Sequence, residues 1–217
     1  MQSDDQSARA IWDGIFNDRN KADKTGGRYF YHLALQRIRR GQTICDAGSG
    51  EASYLPELIK RCGPDGSFIG IDFSNAALAK SAASANGFPN AHFVLADLRR
   101  LPLSDQAVDR VLCAETLPYL LGYAEEALKE LARIARKEVI FSLHARGAYE
   151  IKGAPIEFRG NIVVEHRAGA KPPRIVFNLD EILKLVEAME GFRITTIRPF
   201  RWFDLMDIPP GGDDWSW

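Results

Sequence analysis

The chain has 217 residues, of which 46% are hydrophobic, and a formal net charge of −1. Its length suits one domain with a core of its own. The near-neutral charge argues against a nucleic-acid partner, because phosphate binding depends on clustered, excess Lys and Arg. No apolar run approaches the ~20 residues that span a bilayer, and the first residues lack the basic and apolar segments of an export signal. We therefore expect a cytoplasmic location without membrane contact.

The first predicted helix covers residues 7–18. A Gly26-Gly27 joint follows it, then Arg28 and three aromatic residues, and a hinge beside such a cluster is typical of a moving cover. Structural packing of the same aromatics is the alternative. The apolar side chains of the helix recur at helical spacing and predict packing on a sheet edge: Ala8, Ile11, Trp12, Ile15 and Phe16.

Residues 43–50, Thr-Ile-Cys-Asp-Ala-Gly-Ser-Gly, predict a buried strand that ends in an acid and a glycine turn. Gly48 and Gly50 permit a tight turn around Ser49 into a helix, and we expect the turn to bring its N–H groups against a ligand. Asp46 repels a pyrophosphate but attracts an ammonium or hydroxyl group. The turn therefore favours a cofactor with a cationic or neutral head.

Two further acids end the next two predicted strands. Asp72 ends the strand 67–72 and lies 22 residues beyond Gly50, the separation at which an acid reaches ribose hydroxyls in doubly wound folds. Phe73 follows and is a candidate to cover an adenine face. Asp97 ends the third strand and is expected to accept from an amine such as adenine N6, while the N–H of Leu98 donates to a ring nitrogen.

In this order of elements the chain resembles the class I S-adenosylmethionine-dependent methyltransferases. The resemblance covers residues 40–143 and departs from the pattern at Ala52, where many members have a third glycine. It implies an α/β fold with a doubly wound, mostly parallel seven-stranded sheet, S-adenosyl-L-methionine as cofactor and a small-molecule substrate. Four elements carry it: the motif Asp46-x-Gly48-x-Gly50, the ribose acid Asp72, the adenine acid Asp97 and the run 103–111 into the fourth strand.

Candidate catalytic residues follow the fourth and fifth predicted strands. Glu115, Tyr119 and His144 are expected at the carboxyl edge of the sheet, where doubly wound folds bind ligands. A sulfonium is already an activated methyl donor, so a base is needed only when the acceptor must lose a proton. His144 is the candidate base, with a structural histidine as the alternative. Tyr119 is the second catalytic candidate, and Glu115 is expected to bind the cofactor's ammonium or a cationic acceptor.

The resemblance also implies a role for the N-terminal segment. Small-molecule members commonly close the cofactor pocket with N-terminal helices, so residues 1–40 are expected to form a helical lid. Arg28 is expected to pair with the carboxylate of the cofactor's methionine part. Tyr29 or Tyr31 then borders the substrate or serves only in packing.

The remaining segments complete a single domain, 1–217, that we expect to be a monomer or a homodimer. Residues 41–143 form the cofactor-binding core, 144–178 a substrate-side β-hairpin insertion, and 179–217 a helix, two strands and a tail. The hairpin strands are predicted at 161–167 and 174–177, and the last two strands at 192–198 and 199–208.

Two other functions remain open at this stage. A non-catalytic, cofactor-binding or partner-activating member of the fold needs the same pocket. A nicotinamide dehydrogenase is disfavoured, because its turn requires a glycine where Ser53 stands and does not require Asp46. The cysteines, Cys45, Cys62 and Cys113, form no Cys-x-x-Cys pair, so we expect reduced core thiols and no metal site.

Overall fold

The computed structural model describes residues 2–17, 26–146, 156–166, 172–187, 189 and 191–198; of residues 2–5, 26–28 and 165 it describes the backbone only. Its main sheet is parallel, with strand order β3-β2-β1-β4-β5. The chain order reverses between β1 and β4, so the carboxyl ends of these strands border the crevice where doubly wound folds bind ligands. The strands are β1 (Thr43–Ala47), β2 (Ser67–Asp72), β3 (Ala91–Leu95), β4 (Val108–Cys113) and β5 (Ala135–Phe141).

Helices follow β1, β2 and β4, and two of these three helices bury one apolar stripe. In α3 the buried residues Leu55, Leu58, Ile59 and Cys62 recur every three or four positions, the spacing of a single helix face. Ser74 caps α4, and its hydroxyl accepts from the N–H of Ala77 at 3.2 Å, a cap that serine forms readily. The helices are α1 (Gln2–Asn17), α2 (Gly26–Arg37), α3 (Leu55–Cys62), α4 (Asn75–Ser84), α5 (Ala124–Ile134) and α6 (Leu179–Glu187).

The predicted insertion before the last helix forms a small antiparallel sheet. It consists of β6 (Ile156–Arg159), β7 (Ile162–Glu165) and β8 (Arg174–Ile175), in that order. The predicted pairing of β7 with β8 is confirmed. The β6–β7 hairpin was not predicted, although Gly160, with φ of +65°, and the following asparagine form a two-residue Gly-Asn turn of a kind that joins antiparallel strands.

The predicted sixth strand, residues 192–198, is wrong. These residues are described and form no strand. Ile194 and Ile197, which supply the apolar pattern of this segment, are 37% and 48% exposed. A strand needs a partner for its backbone groups, and the segment does not pair with β5 or any other described strand. The predicted seventh strand at 199–208 and the tail that follows lie outside the described residues.

The three cysteines are buried free thiols, as expected. Burial raises the pKa of Cys62 to about 11 and that of Cys45 well above its usual range, so neither thiol carries the charge needed for nucleophilic chemistry at neutral pH. None of the helices within the described ranges is both long and apolar enough to cross a membrane.

Candidate cofactor and acceptor site

The glycine turn connects β1 to α3 and folds back on β2. Gly48 and Gly50 have φ of +75° and +55°. The N–H groups of Gly48 and Ser49 both donate to the carbonyl of Ile71, at 2.7 and 3.0 Å. The N–H of Gly50 donates to Asp72 Oδ2 at 2.9 Å. The expectation that these N–H groups face a ligand is therefore wrong, because all three are engaged by β2.

Gly48 is required by a neighbour as well as by its backbone. A Cβ at this position would lie 2.2 Å from Thr116 Oγ1 and 2.7 Å from Thr116 Cβ. The close approach brings the start of the 3-10 turn after β4, Leu117–Tyr119, directly against the cofactor turn. The chain segments that follow β1 and β4 can therefore lie this close together because Gly48 has no side chain.

We predict that Gly48→Ala lowers the free energy of unfolding by roughly 2 to 5 kcal/mol, from a left-handed alanine and an overpacked contact. Gly41→Ala is the matched control, because Gly41 has φ of +74° but no atom within 4 Å of an added Cβ. Chemical denaturation of both variants separates the two costs. Equal losses would show that Thr116 moves aside freely.

Ala52 occupies the position at which many members of the resembling family have glycine. Its φ is +48°, in the left-handed region, and it is buried. Because alanine carries only a small side chain, the segment accepts it at a cost of about 1 kcal/mol or somewhat more. The replacement of glycine by Ala52 is therefore tolerated, and Ala52 adopts the left-handed backbone that suits a glycine.

Asp46 lies at the end of β1 and is 1% exposed. Its Oδ2 accepts from the hydroxyl of Tyr31 at 2.7 Å. Its Oδ1 is buried and has no hydrogen-bond partner among the described residues, and the same holds for the Ser49 hydroxyl. Burial raises the pKa of Asp46 to about 7; the Tyr31 hydrogen bond lowers it, and the nearby Asp72 raises it further.

Asp72 ends β2 and is held by backbone donors. Its Oδ2 accepts from the N–H of Gly50 and its Oδ1 from the N–H of Ser74, each at 2.9 Å. Burial raises the pKa of Asp72 even though these N–H groups lower it. The acid 22 residues beyond Gly50 thus accepts directly from the Gly50 N–H, and the carboxylate is fixed at the mouth of the crevice.

Asp97 follows β3 and forms an ion pair with Arg99. Its Oδ1 accepts from the N–H of Arg99 and its Oδ2 from Arg99 Nε, both at 2.8 Å. Burial alone would raise the pKa of Asp97, but the Arg99 side chain and N–H lower it below its usual range. The guanidinium also lies 4.6 Å from the ring centre of Tyr123. Leu98 beside it is buried, and Phe73 is half-buried.

Glu115 and His144 form a pair across the ends of β4 and β5. His144 Nε2 lies 2.6 Å from Glu115 Oε2. The Ser142 hydroxyl accepts from the Glu115 N–H at 2.8 Å and donates to Glu115 Oε1 at 3.3 Å. Glu115 adopts φ of +53°, a strained conformation for a residue with a side chain. The ring of Tyr119 meets His144 edge-on, with centres 6.0 Å apart.

The family described as a methyltransferase domain matches residues 38–153, which is the segment that carries all three acids, the glycine turn and the Glu115–His144 pair. The chain belongs to this methyltransferase family. The predicted family and Rossmann-like fold are therefore confirmed, and S-adenosylmethionine is the methyl donor that membership implies.

Several curated proteins are similar to this chain, and they are named as methyltransferases of different acceptors. Malonyl-(acyl-carrier protein) O-methyltransferase of Marinomonas sp. (strain MWYL1) is 30% identical over 118 residues, 54% of this chain and 43% of the relative. Demethylmenaquinone methyltransferase of Staphylococcus carnosus (strain TM300) is 30% identical over 104 residues, 48% of this chain and 43% of the relative. The chain thus spans less than half the length of both relatives.

One solved structure is similar to part of this chain. The S-adenosylmethionine-dependent methyltransferase from Aquifex aeolicus shares 28% sequence identity with this methyltransferase-family chain, with a TM-score of 0.47. The match covers 52% of this chain and 62% of that chain.

The crevice of this methyltransferase fold suits S-adenosylmethionine. The unpartnered Oδ1 of Asp46 is a buried acceptor that a donor such as the cofactor's ammonium would satisfy. The fixed carboxylate of Asp72 has lone pairs left for hydroxyl groups after accepting two N–H bonds. Arg28 lies on α2, but its side chain is outside the described residues, so its predicted pairing with the cofactor stays a prediction.

Helix α1 of the methyltransferase fold lies against the same crevice. Asp13 accepts from the Ser74 hydroxyl and from the N–H of Ala76, which anchors α1 at the start of α4. The ring of Phe16 lies 3.3 Å from the Cβ position of Gly50. Trp12 meets Tyr119 edge-on, with ring centres 5.0 Å apart. A stripe that the sequence assigns to packing thus reaches both the cofactor turn and the catalytic candidates.

Proposed function

We propose that this chain transfers the methyl group of S-adenosylmethionine to an oxygen, nitrogen or carbon nucleophile of a small molecule, and that His144 removes the proton of that nucleophile. The 2.6 Å contact between His144 Nε2 and Glu115 Oε2 carries the second part. The family match and the buried, unpartnered Asp46 Oδ1 support the first.

The cofactor half of the proposal divides the crevice by charge. Asp46 receives the ammonium, because a buried acceptor without a donor is satisfied best by a charged one. Asp72 receives the ribose hydroxyls, and Asp97 with the N–H of Leu98 receives the adenine edge. Further roles rest on position in the sequence: Phe73 on the adenine face, Arg28 at the cofactor's carboxylate, and Gly48, Ser49 and Gly50 as the turn below it.

The Asp97 assignment carries a condition. Both of its carboxylate oxygens already accept from Arg99, so an adenine amine must share an oxygen with the guanidinium or displace it. A carboxylate has about four lone-pair sites, which leaves room for sharing. The N–H of Arg99 holds Oδ1 in place during either event.

The acceptor half lies at the ends of β4 and β5. In the tautomer that donates from Nε2 to Glu115, the basic nitrogen of His144 is Nδ1. Glu115 then stabilises the imidazolium that forms when His144 takes a proton, as a carboxylate does in other His–carboxylate pairs. The sulfonium supplies an activated methyl group, so the chain needs only to align the nucleophile, remove its proton and exclude water. Tyr119 borders this position.

Glu115 contacts both His144 and the Ser142 hydroxyl. We therefore propose that it supports His144, in place of the predicted contact with the cofactor's ammonium. The acceptors for which the relatives are named differ in chemistry. One relative, from Halobacterium salinarum, is named as an arsenite methyltransferase. A small molecule with an O–H, N–H or C–H nucleophile is therefore the substrate class we propose.

Two measurements test this function. Calorimetric titration with S-adenosylhomocysteine should show binding at micromolar concentrations, while NADH gives none. S-adenosylmethionine labelled in its methyl group is then incubated with the chain and a panel of phenols, carboxylic acids, amines and acidic carbon compounds. Label in an acceptor supports the proposal. Binding without transfer to any acceptor would favour the non-catalytic alternative, and NADH binding would favour the dehydrogenase.

A further inference from the structure

The hydroxyl of Tyr31 contacts the most deeply buried acid of the crevice from a separate element. Tyr31 lies on α2, is 7% exposed, and donates to Asp46 Oδ2 at 2.7 Å. Burial raises the pKa of Tyr31 well above its usual range, so its hydroxyl keeps its proton and remains a donor at every working pH. The contact is therefore a hydrogen bond from α2 to β1 whose donor keeps its proton.

The ring of Tyr31 is fixed as firmly as its hydroxyl. It stacks on Tyr54 with ring centres 4.3 Å apart and an angle of 20° between the planes, and it meets Phe30 edge-on at 5.3 Å. Tyr54 lies immediately before α3, at the end of the glycine turn. One side chain thus holds together α2, the carboxylate of Asp46 and the start of α3.

The two oxygens of Asp46 are in different states. Oδ2 is satisfied by Tyr31, whereas Oδ1 is buried and finds no partner among the residues that the structure describes. A carboxylate held at one oxygen has a fixed orientation, so the second oxygen points in one direction only. The other influences on Asp46 disfavour its charged form. Burial has the largest effect on its pKa, and the nearby Asp72 on β2 raises the pKa further. The thiols of Cys45 and Cys113 beside it are neutral, because their pKa values are raised by burial.

We infer that Tyr31 is a positioning residue for cofactor recognition: its hydrogen bond orients Asp46 and favours the carboxylate form, so that the second oxygen binds the ammonium of S-adenosylmethionine. This inference rests on the proposed function, since it presumes that the crevice binds that cofactor. It adds a residue on α2, outside the recognised motif.

The test is the affinity for S-adenosylhomocysteine as a function of pH, measured by calorimetry on the full chain and on Tyr31→Phe. Loss of the hydrogen bond removes an interaction that lowers the pKa of Asp46, so the pH at which affinity is half-maximal should rise by about one unit. Affinity then falls about fivefold near pH 7 and less than about twofold near pH 8.5. The ligand's own ammonium titrates equally in both proteins and cancels in the ratio.

Tyr54→Phe is the matched control. It removes a hydroxyl from the ring stacked on Tyr31 and leaves the bond to Asp46 in place, so its pH midpoint should equal that of the unaltered chain. A loss of affinity in Tyr31→Phe that is equal at all pH values, or no loss, overturns the inference and leaves the proposed function standing. Absence of binding by the unaltered chain at every pH overturns the proposed function, and the inference with it.

A second measurement tests the inference on the unaltered chain, in which the hydrogen bond between Tyr31 and Asp46 is intact. Carbon-13 NMR of the unaltered chain follows the Asp46 carboxyl carbon, identified by its loss in Asp46→Asn, and the Cζ of Tyr31. Protonation of Asp46 weakens the bond that Tyr31 donates, so both signals should inflect at the same pH, close to 7. A Tyr31 signal that is flat through the Asp46 midpoint would overturn the inference.

Discussion

Replacing His144 by alanine should lower kcat for methyl transfer by about 100-fold to 10,000-fold, the usual contribution of a general base. The expected reason is that Glu115 holds the imidazole at 2.6 Å and stabilises its protonated form. Binding of S-adenosylhomocysteine should change little, because the cofactor contacts we propose lie at the ends of β1, β2 and β3 and on α2, whereas His144 follows β5. Steady-state kinetics with an acceptor from the labelled screen, together with calorimetry, separates the two effects.

The chain contains its own control for this variant. His166 also pairs with a glutamate, Glu157, at 2.9 Å, but this pair lies on the small antiparallel sheet and is about half exposed. His166→Ala should leave kcat near that of the unaltered protein. Imidazole added to His144→Ala should restore part of the rate, which no structural defect would allow. Full activity of His144→Ala would return this residue to a structural role.

Glu115→Gln should give an intermediate result. The amide keeps the size of the side chain and a contact with Ser142, but removes the charge that stabilises a protonated His144. We expect a smaller loss of kcat than in His144→Ala, of about 10-fold to 100-fold, the worth of one hydrogen bond to a charged group. Weakened cofactor binding with unchanged kcat would instead support the ammonium contact that the sequence predicts for Glu115.

The features predictable from the sequence are those set by short segments. A strand that ends in an acid, followed by glycines, reports a local turn, and the glycines at 48 and 50 do adopt left-handed backbone. The 22-residue separation of Gly50 and Asp72 is that of one β-α-β unit, so it places Asp72 at the end of the strand next to β1. The β6–β7 hairpin was equally local, and its Gly-Asn turn was an available signal.

The contacts that define the candidate chemistry have no such signal. Tyr31 and Asp46 lie on different elements, and nothing in either segment specifies that one donates to the other. Glu115 and His144 are both predictable at the carboxyl edge of the sheet, but their distance depends on how β4 and β5 pair and on the strained backbone of Glu115. The strand prediction for residues 192–198 was wrong for the opposite reason. Their apolar pattern is typical of a strand, but a strand also needs a neighbour with which its backbone pairs, and the segment has none among the described strands.

Asp46→Asn should make the free chain more stable while nearly abolishing cofactor binding. Asp46 has a pKa of about 7 in the folded chain against 3.8 for an exposed aspartate. Because the folded value is raised, the unfolded chain loses its proton first as pH rises, so stability falls between about pH 4 and pH 7 and stays low above it. The difference in pKa corresponds to about 4 kcal/mol near pH 8.

The asparagine removes this cost without losing the existing contact. Its oxygen still accepts from Tyr31, and its amide nitrogen takes the place of an oxygen without a partner in the described part of the chain. We expect a gain of about 2 to 4 kcal/mol in the free energy of unfolding near pH 8 that disappears near pH 4, measured by chemical denaturation. Affinity for S-adenosylhomocysteine should fall by at least about 100-fold, because its ammonium loses its counter-ion.

Asp72→Asn is the matched comparison, since it also replaces a buried carboxylate in the same crevice. There the new amide nitrogen would face one of two backbone N–H donors, from Gly50 or Ser74, so we expect a loss of about 1 to 3 kcal/mol instead of a gain. Opposite signs in the two variants would show that Asp46 is held ionised against the stability of the fold for the sake of a ligand. A loss of stability in Asp46→Asn near pH 8 would show that its second oxygen has a partner within the protein, and the ammonium site would have to be sought elsewhere.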